Sequence, residues 1–129
     1  IDATYDGNLR CTATHEPSGK QLITDAPVDN MGKGESFSPT DLLATSMLTC
    51  IMTIVAIRAD SKEIDVKGMS GSIEKTMASG PRRVAKLEVV VNLPPGLDIE
   101  DRAWLITEGC NCPVCVSVSE SMEVDVTFQ

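Results

Sequence analysis

From Leu42 to Ile57 the chain is apolar almost without a break, with Thr45, Ser46, Thr49 and Thr53 its only hydroxyl-bearing interruptions. Just upstream stands Ser38-Pro39-Thr40-Asp41, a compact helix-start signal. Ser38 can cap the first free amides, Pro39 fits the first turn, and Asp41 suits the positive end of the helix dipole. The pattern predicts one helix from about Pro39 to Asp60, apolar on nearly every side, so that neighbours must cover most of its surface. The apolar run itself falls short of the ~20 residues a bilayer span needs, and its hydroxyls argue further for a buried helix with no membrane partner.

The flanking sequence reads as β structure. Asp6-Gly7 marks a turn, Leu9, Cys11 and Ala13 alternate with Arg10, Thr12 and Thr14, and Glu16-Pro17-Ser18-Gly19 turns the chain back into Lys20 to Thr24. A Gly- and Asp-containing connection from Asp25 to Phe37 leads into the helix. Beyond it, Asp65 to Thr76 and Arg82 to Leu93 read as strands, with Leu87, Val89, Val91 and Leu93 forming one clean face. Asp98 and Asp101 open a second helix that runs through Trp104 and Leu105 to Gly109. A short helix from Pro113 to about Ser119 follows, then a last strand with Met122, Val124, Val126 and Phe128 on one face. This order predicts an α+β layout with antiparallel sheet and a single domain over residues 1–129.

With 129 residues, 42% of them apolar, the chain can build a core without disulfide staples. Its five cysteines are odd in number and match no small secreted framework. No signal peptide is visible at the N-terminus, and with that cysteine pattern a reducing, cytoplasmic setting is expected, where cysteines are more often catalytic, redox-sensing or metal-binding. The net charge of −8 speaks against a nucleic-acid partner, which needs a basic face.

The thiols fall at two sites, Cys50 inside the apolar helix and Cys110, Cys112 and Cys115 near the C-terminus. A thiol acts as thiolate, so a nucleophilic cysteine must have its pKa brought below the free value of ~8.5 by a cation or a helix N-terminus. Cys112 precedes Pro113 and can take the N-cap of the short helix. Cys50 lies three turns into its helix and needs a cation, for which Arg10, His15, Lys20, Arg82 and Arg83 are candidates. Spacing alone reads Cys50 first as a small core hydrophobe. Cys110, Cys112 and Cys115 read either as a zinc site short of a fourth ligand, or as a CxxC redox pair at Cys112 and Cys115 without its usual βαβ setting. His15, beside a turn, is more economically a solvated residue than a base.

Taken together, Tyr5-Asp6-Gly7, the Gly-Lys-Gly loop before Ser38-Pro39, the helix Asp41-Leu42-Leu43-Ala44-Thr45-Ser46-Met47-Leu48-Thr49-Cys50 and the late Cys112-Pro113-Val114 resemble the OsmC/Ohr family of osmotically induced and organic hydroperoxide resistance proteins. The resemblance covers almost the whole chain. It implies an OsmC-like α+β fold, with antiparallel sheets packed on long central helices in an intertwined homodimer. It also implies a thiol-dependent peroxidase, an antioxidant oxidoreductase of the stress response. Cys50 matches the family's peroxidatic cysteine and Cys112 the resolving one. Cys50 would attack an organic hydroperoxide, or hydrogen peroxide, to give a sulfenic acid, and Cys112 would close a disulfide. No cofactor is implied beyond an external reductant, a lipoyl-type dithiol or another thiol, which reopens the bond.

The chain departs from the family pattern at three places. Thr40 stands where well-studied members carry Glu, with Asp41 one place on. The thiolate-holding Arg of the N-terminal hairpin has only Lys20 or Arg10 as its match, and Cys-Pro-Val-Ser becomes Cys-Pro-Val-Cys. Two alternatives follow, an OsmC-fold redox sensor or ligand binder with little turnover, and a zinc module on Cys110, Cys112 and Cys115.

Overall fold

The two N-terminal turns divide the first 25 residues into three short strands, β1 (Asp2–Gly7), β2 (Arg10–His15) and β3 (Lys20–Asp25). They form an antiparallel sheet in the order β1-β2-β3. At the first turn Gly7, Asn8 and Leu9 all take positive φ, a conformation natural only to Gly and tolerated by Asn. The computed structural model describes residues 1–129. They divide into two units, Ile1–Leu43 and Ala44–Gln129.

In the first unit the register sets Arg10 opposite Asp25. The Arg10 guanidinium lies 3.4 Å from Asp25 Oδ2 and also pairs with Glu35. The Glu35 backbone N–H donates to the same Asp25 oxygen at 3.0 Å. That amide, followed by the Arg10 charge, holds the Asp25 carboxyl below its ordinary range against the cost of burial. The connection expected between Asp25 and Phe37 contains a single 3-10 turn at Val28–Asn30. At Ser38 the helix start forms as a reciprocal cap. The Asp41 N–H donates to Ser38 Oγ at 3.1 Å, and the Ser38 N–H donates to Asp41 Oδ2 at 2.8 Å.

This cap opens α1 (Pro39–Asp60). At 22 residues, with mean hydropathy 1.9 over an 18-residue window, α1 has the length and composition of a membrane-crossing helix. The apolar run read from sequence is thus shorter than the helix that carries it. Only one stripe of α1 is buried, Ala44, Met47, Ile51, Val55 and Ala59 at three- and four-residue spacing. Ser46, Thr49, Thr53 and Ile57, on the opposite side, are exposed.

The second unit carries the other sheet, β4 (Ser70–Ser79), β5 (Arg82–Asn92) and β6 (Glu123–Phe128), in that order. The strand expected from Asp65 begins instead at Ser70. Asp65 Oδ1 accepts the Lys67 N–H at 2.8 Å, and this local turn competes with strand pairing. A register shift opposite Thr76/Met77 lets Val84 share a buried face with Leu87, Val89 and Val91, despite the odd spacing.

β4 and β5 are antiparallel as expected, but β6 pairs parallel to β5. The reason is the connection. Two helices, α2 (Ile99–Cys110) and α3 (Pro113–Val118), carry the chain back before β6 begins, and parallel strands need such a crossover. Lys86 ties this pair together, with Nζ 2.7 Å from Asp125 and 3.3 Å from both Glu88 and Glu123. The core closes around Val55, Ala59, Leu93 and Leu105, with Trp104, Ile106 and Phe128 packed against them.

Candidate active site

The C-terminal thiols are delivered to α1 by the seating of α2. Arg58 Nε pairs with Glu108 at 2.7 Å, and Lys62 pairs with Asp101 at 3.1 Å while its Nζ sits 4.0 Å from the Trp104 ring centre. Beyond the Arg58–Glu108 tie the two helices touch at Gly109. A Cβ there would lie 2.8 Å from Val55 Cγ2 and 3.0 Å from Phe128 Cζ, so only glycine permits this approach. At the next residue α2 ends. The Cys112 N–H donates to the Gly109 carbonyl at 3.2 Å, and Cys112 becomes the N-cap of α3 with Pro113 in the first turn.

Four cysteines gather where α1 meets this corner. The Cys50 thiol, half-buried on α1, has the Cys112 thiol and the Val114 backbone amide as the polar neighbours that act on its ionisation. Cys112 is fully buried. Its Sγ accepts the Cys115 N–H at 3.3 Å and lies 3.0 Å from Cys115 Sγ. The Cys115 thiol in turn donates to Met47 Sδ at 3.0 Å. Cys112 thus has both Cys50 and Cys115 as thiol neighbours, and Cys115 in turn meets a thioether of the buried α1 stripe. Cys110 remains exposed at the edge.

This environment favours the protonated form of Cys50, Cys110 and Cys115. Burial pushes Cys50 above the ordinary thiol value, and the neighbouring Cys112 adds to that, while the Val114 N–H pulls the other way. Burial also raises Cys110. Cys115 is pushed up to about 12, first by burial and then by Cys112. The polar groups acting on Cys50 are a backbone amide and a thiol, and the cation expected from sequence is not among them.

The remaining candidates have other partners. Asp41 serves the cap of α1 through Ser38. Arg10 is engaged by Asp25 and Glu35. Lys20 opens β3 across from His15, whose Nδ1 is 2.7 Å from Ser18 Oγ. Arg82 and Arg83 are exposed at the start of β5. Cys11 lies on β2 between Tyr5 and Thr24. Cys110, Cys112 and Cys115 are not among side chains grouped as a metal ion requires. Sequence reasoning had not given Met47, Gly109 or the Val114 amide a place here. The Cys-Pro-Val-Cys spacing was the only available signal for Cys115.

The profile of OsmC-like proteins matches residues 32–127, a span that includes the α1 cap and all four clustered thiols. The chain belongs to the OsmC-like family. A Psychrobacter arcticus protein of known structure, named for osmotic stress induction and a detoxification response, is 41% identical to this OsmC-like chain. Their TM-score is 0.94, with 99% of this chain and 93% of that one covered. An organic hydroperoxide resistance protein OsmC from Legionella pneumophila shares the fold at 16% identity and a TM-score of 0.79, covering 99% and 93%. The Bacillus subtilis protein OhrB does so at 15% identity and a TM-score of 0.68, covering 100% and 98%. No curated protein sequence matches the chain. The α+β class and OsmC-like architecture expected from sequence are therefore those of the molecule.

Proposed function

We propose that this OsmC-like protein is a thiol peroxidase of the cytoplasm that reduces organic hydroperoxides, with Cys50 as nucleophile and Cys112 as resolving cysteine. The observation that carries the reading is the placement of these two thiols as neighbours that influence one another's ionisation, 62 positions apart in sequence, beside the Val114 amide. The organic hydroperoxide resistance named for the Legionella and Bacillus relatives supports the substrate class.

The reaction proceeds in three steps. The Cys50 thiolate attacks one peroxide oxygen, the O–O bond breaks, and the alkoxide leaves as alcohol after taking a proton. Cys50 is now a sulfenic acid. The Cys112 sulfur attacks Cys50 Sγ, water departs, and a Cys50–Cys112 disulfide remains. An external dithiol returns both cysteines to thiols by exchange. The Val114 N–H favours the Cys50 thiolate in the first step. The cation that this thiolate still needs is proposed to come from the N-terminal hairpin, from Arg10 or Lys20, with Asp41 ordering the helix start. A homodimer that covers the exposed side of α1 is part of the proposal.

Turnover of cumene hydroperoxide with a dithiol tests the reading. Cys50→Ser is expected to abolish it, and full activity in that variant refutes the assignment. One observation favours a second reading, a slow redox sensor. Burial and Cys112 hold Cys50 protonated, which suits rare oxidation better than fast turnover. A stable oxidised form with negligible peroxide consumption would select the sensor.

A further inference from the structure

Cys115 has no task in the mechanism above, yet it touches the sulfur on which that mechanism turns. It is 7% exposed and its Sγ lies 3.0 Å from Cys112 Sγ. Residues three apart at the start of a helix are spatial neighbours, so the two side chains are already on one face. Cys112 itself has no exposed surface. Once it is bonded to Cys50, an external reductant can reach that disulfide only through the half-buried Cys50, not through Cys112. Cys115, by contrast, lines a cleft of about 380 Å³ together with Cys110, Asn111, Val116 and Ser119. Cys115 therefore belongs both to the thiol cluster, through Cys112 and Met47, and to the wall of this cleft.

We propose that Cys115 is a third redox cysteine, which takes over the disulfide from Cys50 and presents it to the dithiol reductant in this cleft. The proposal rests on the Cys50–Cys112 reading given above. In the relay step the Cys115 thiol gives its proton to solvent in the cleft, and its sulfur attacks Cys112 Sγ. The Cys50–Cys112 bond breaks, the Cys112–Cys115 bond forms, and Cys50 leaves as thiolate, with no net oxidation or reduction. The dithiol then attacks Cys115 Sγ. Cys112 leaves as a thiolate that accepts the Cys115 N–H, and the second thiol of the reductant closes its own disulfide and frees Cys115. Cys50 is thereby free for another peroxide before the reductant has acted. Disulfide formation at Cys112 also removes that thiol's opposition to Cys115 ionisation. Burial persists, so the relay quickens as pH rises.

The test is a quenched time course on the full chain after one equivalent of cumene hydroperoxide, with free thiols alkylated and the protein digested with trypsin. Cys50 lies in the peptide 34–58, and Cys110, Cys112 and Cys115 share the peptide 103–129. A Cys50–Cys112 bond joins the two peptides, whereas a Cys112–Cys115 bond leaves them separate and the second lighter by two hydrogens. Fragmentation locates any alkylated Cys110. The expected course is the joined species first, then the internal disulfide with Cys50 alkylated. Persistence of the joined species, or Cys115 alkylated throughout, overturns the relay while leaving the Cys50–Cys112 chemistry intact. An unoxidised Cys50 at every time sinks both. In Cys115→Ala the joined species is expected to form at the parental rate, while dithiol-supported turnover falls about tenfold or more. Unchanged turnover in that variant overturns the proposal.

Discussion

Gly109→Ala perturbs the contact that seats the C-terminal thiols against α1. The added Cβ would stand 2.8 Å from Val55 Cγ2, 3.0 Å from Phe128 Cζ and 3.4 Å from Ile51 Cγ2. Ordinary carbon contacts lie at about 3.5–4.0 Å, so two neighbours must each yield roughly half an ångström or more. Val55 is β-branched and stiff, and the buried stripe of α1 holds it in place. Overpacking of this kind costs about 1–3 kcal/mol. Against it stands the helix preference of Ala over Gly, about 1 kcal/mol. The net expectation is a loss of about 0–2 kcal/mol. In urea, with a slope of about 2 kcal/mol per molar, a loss of 1 kcal/mol lowers the midpoint by about 0.5 M. The cycle with Val55→Ala isolates the clash. Removing Cγ2 relieves the inserted Cβ, so the double variant is expected to be more stable than the sum of the single losses by at least about 0.5 kcal/mol. Peroxide-driven joining of Cys50 to Cys112 should slow in Gly109→Ala and recover in the double variant. A raised midpoint for Gly109→Ala, with additive single effects, would refute the close approach.

Three further outcomes follow from packing and electrostatics. Cys112→Ala removes the neighbouring thiol that raises Cys50, so the pH profile of Cys50 alkylation, read by mass at that residue, should move to lower pH. An unmoved profile, or one displaced upward, contradicts the contact. The raised Cys115 value means that its thiol ionises in the unfolded chain before it does so in the native one. Its stabilising contribution is present below the ordinary thiol range of ~8.5 and is lost as pH rises towards about 12. Thermal midpoints of Cys115→Ala should therefore fall less steeply over that window, and an unchanged slope would count against it. At the helix start, Ser38→Ala should cost about 0.5–2 kcal/mol by loss of the cap, and in the core Leu105→Ala about 2–5 kcal/mol. Urea denaturation checks both, and a neutral Leu105→Ala would mean that the cluster with Val55, Ala59 and Leu93 is mispacked.

What was legible in the sequence is what local chemistry encodes. The Ser38-Pro39-Thr40-Asp41 cap fixes the start of α1, alternation fixes β5, and the Cys-Pro step fixes the start of α3. The turn at Asp65 to Met69 passed for strand because its apolar residues mimic alternation, while the deciding side-chain bond is a matter of geometry. The direction of β6 depends on how two helices carry the chain back, and no residue within β6 records that. The candidate site was legible in part for the same reason. Cys50 and Cys112 could be named through the family resemblance, but their contact depends on a helix crossing made possible by Gly109, which in sequence looks like a mere helix end. Arg10 was a free cation on the page of sequence. In the fold, residues 15 and 25 positions away, Asp25 and Glu35, hold it.

The order of oxidation tests the central claim most directly. Cys112→Ser should be treated with one equivalent of cumene hydroperoxide in the presence of a sulfenic-acid-trapping 1,3-diketone, and the adduct mapped by mass. The account predicts an adduct on Cys50, with Cys110 and Cys115 still recovered as thiols. An adduct on Cys110 or Cys115 with the Cys50 thiol intact would contradict it.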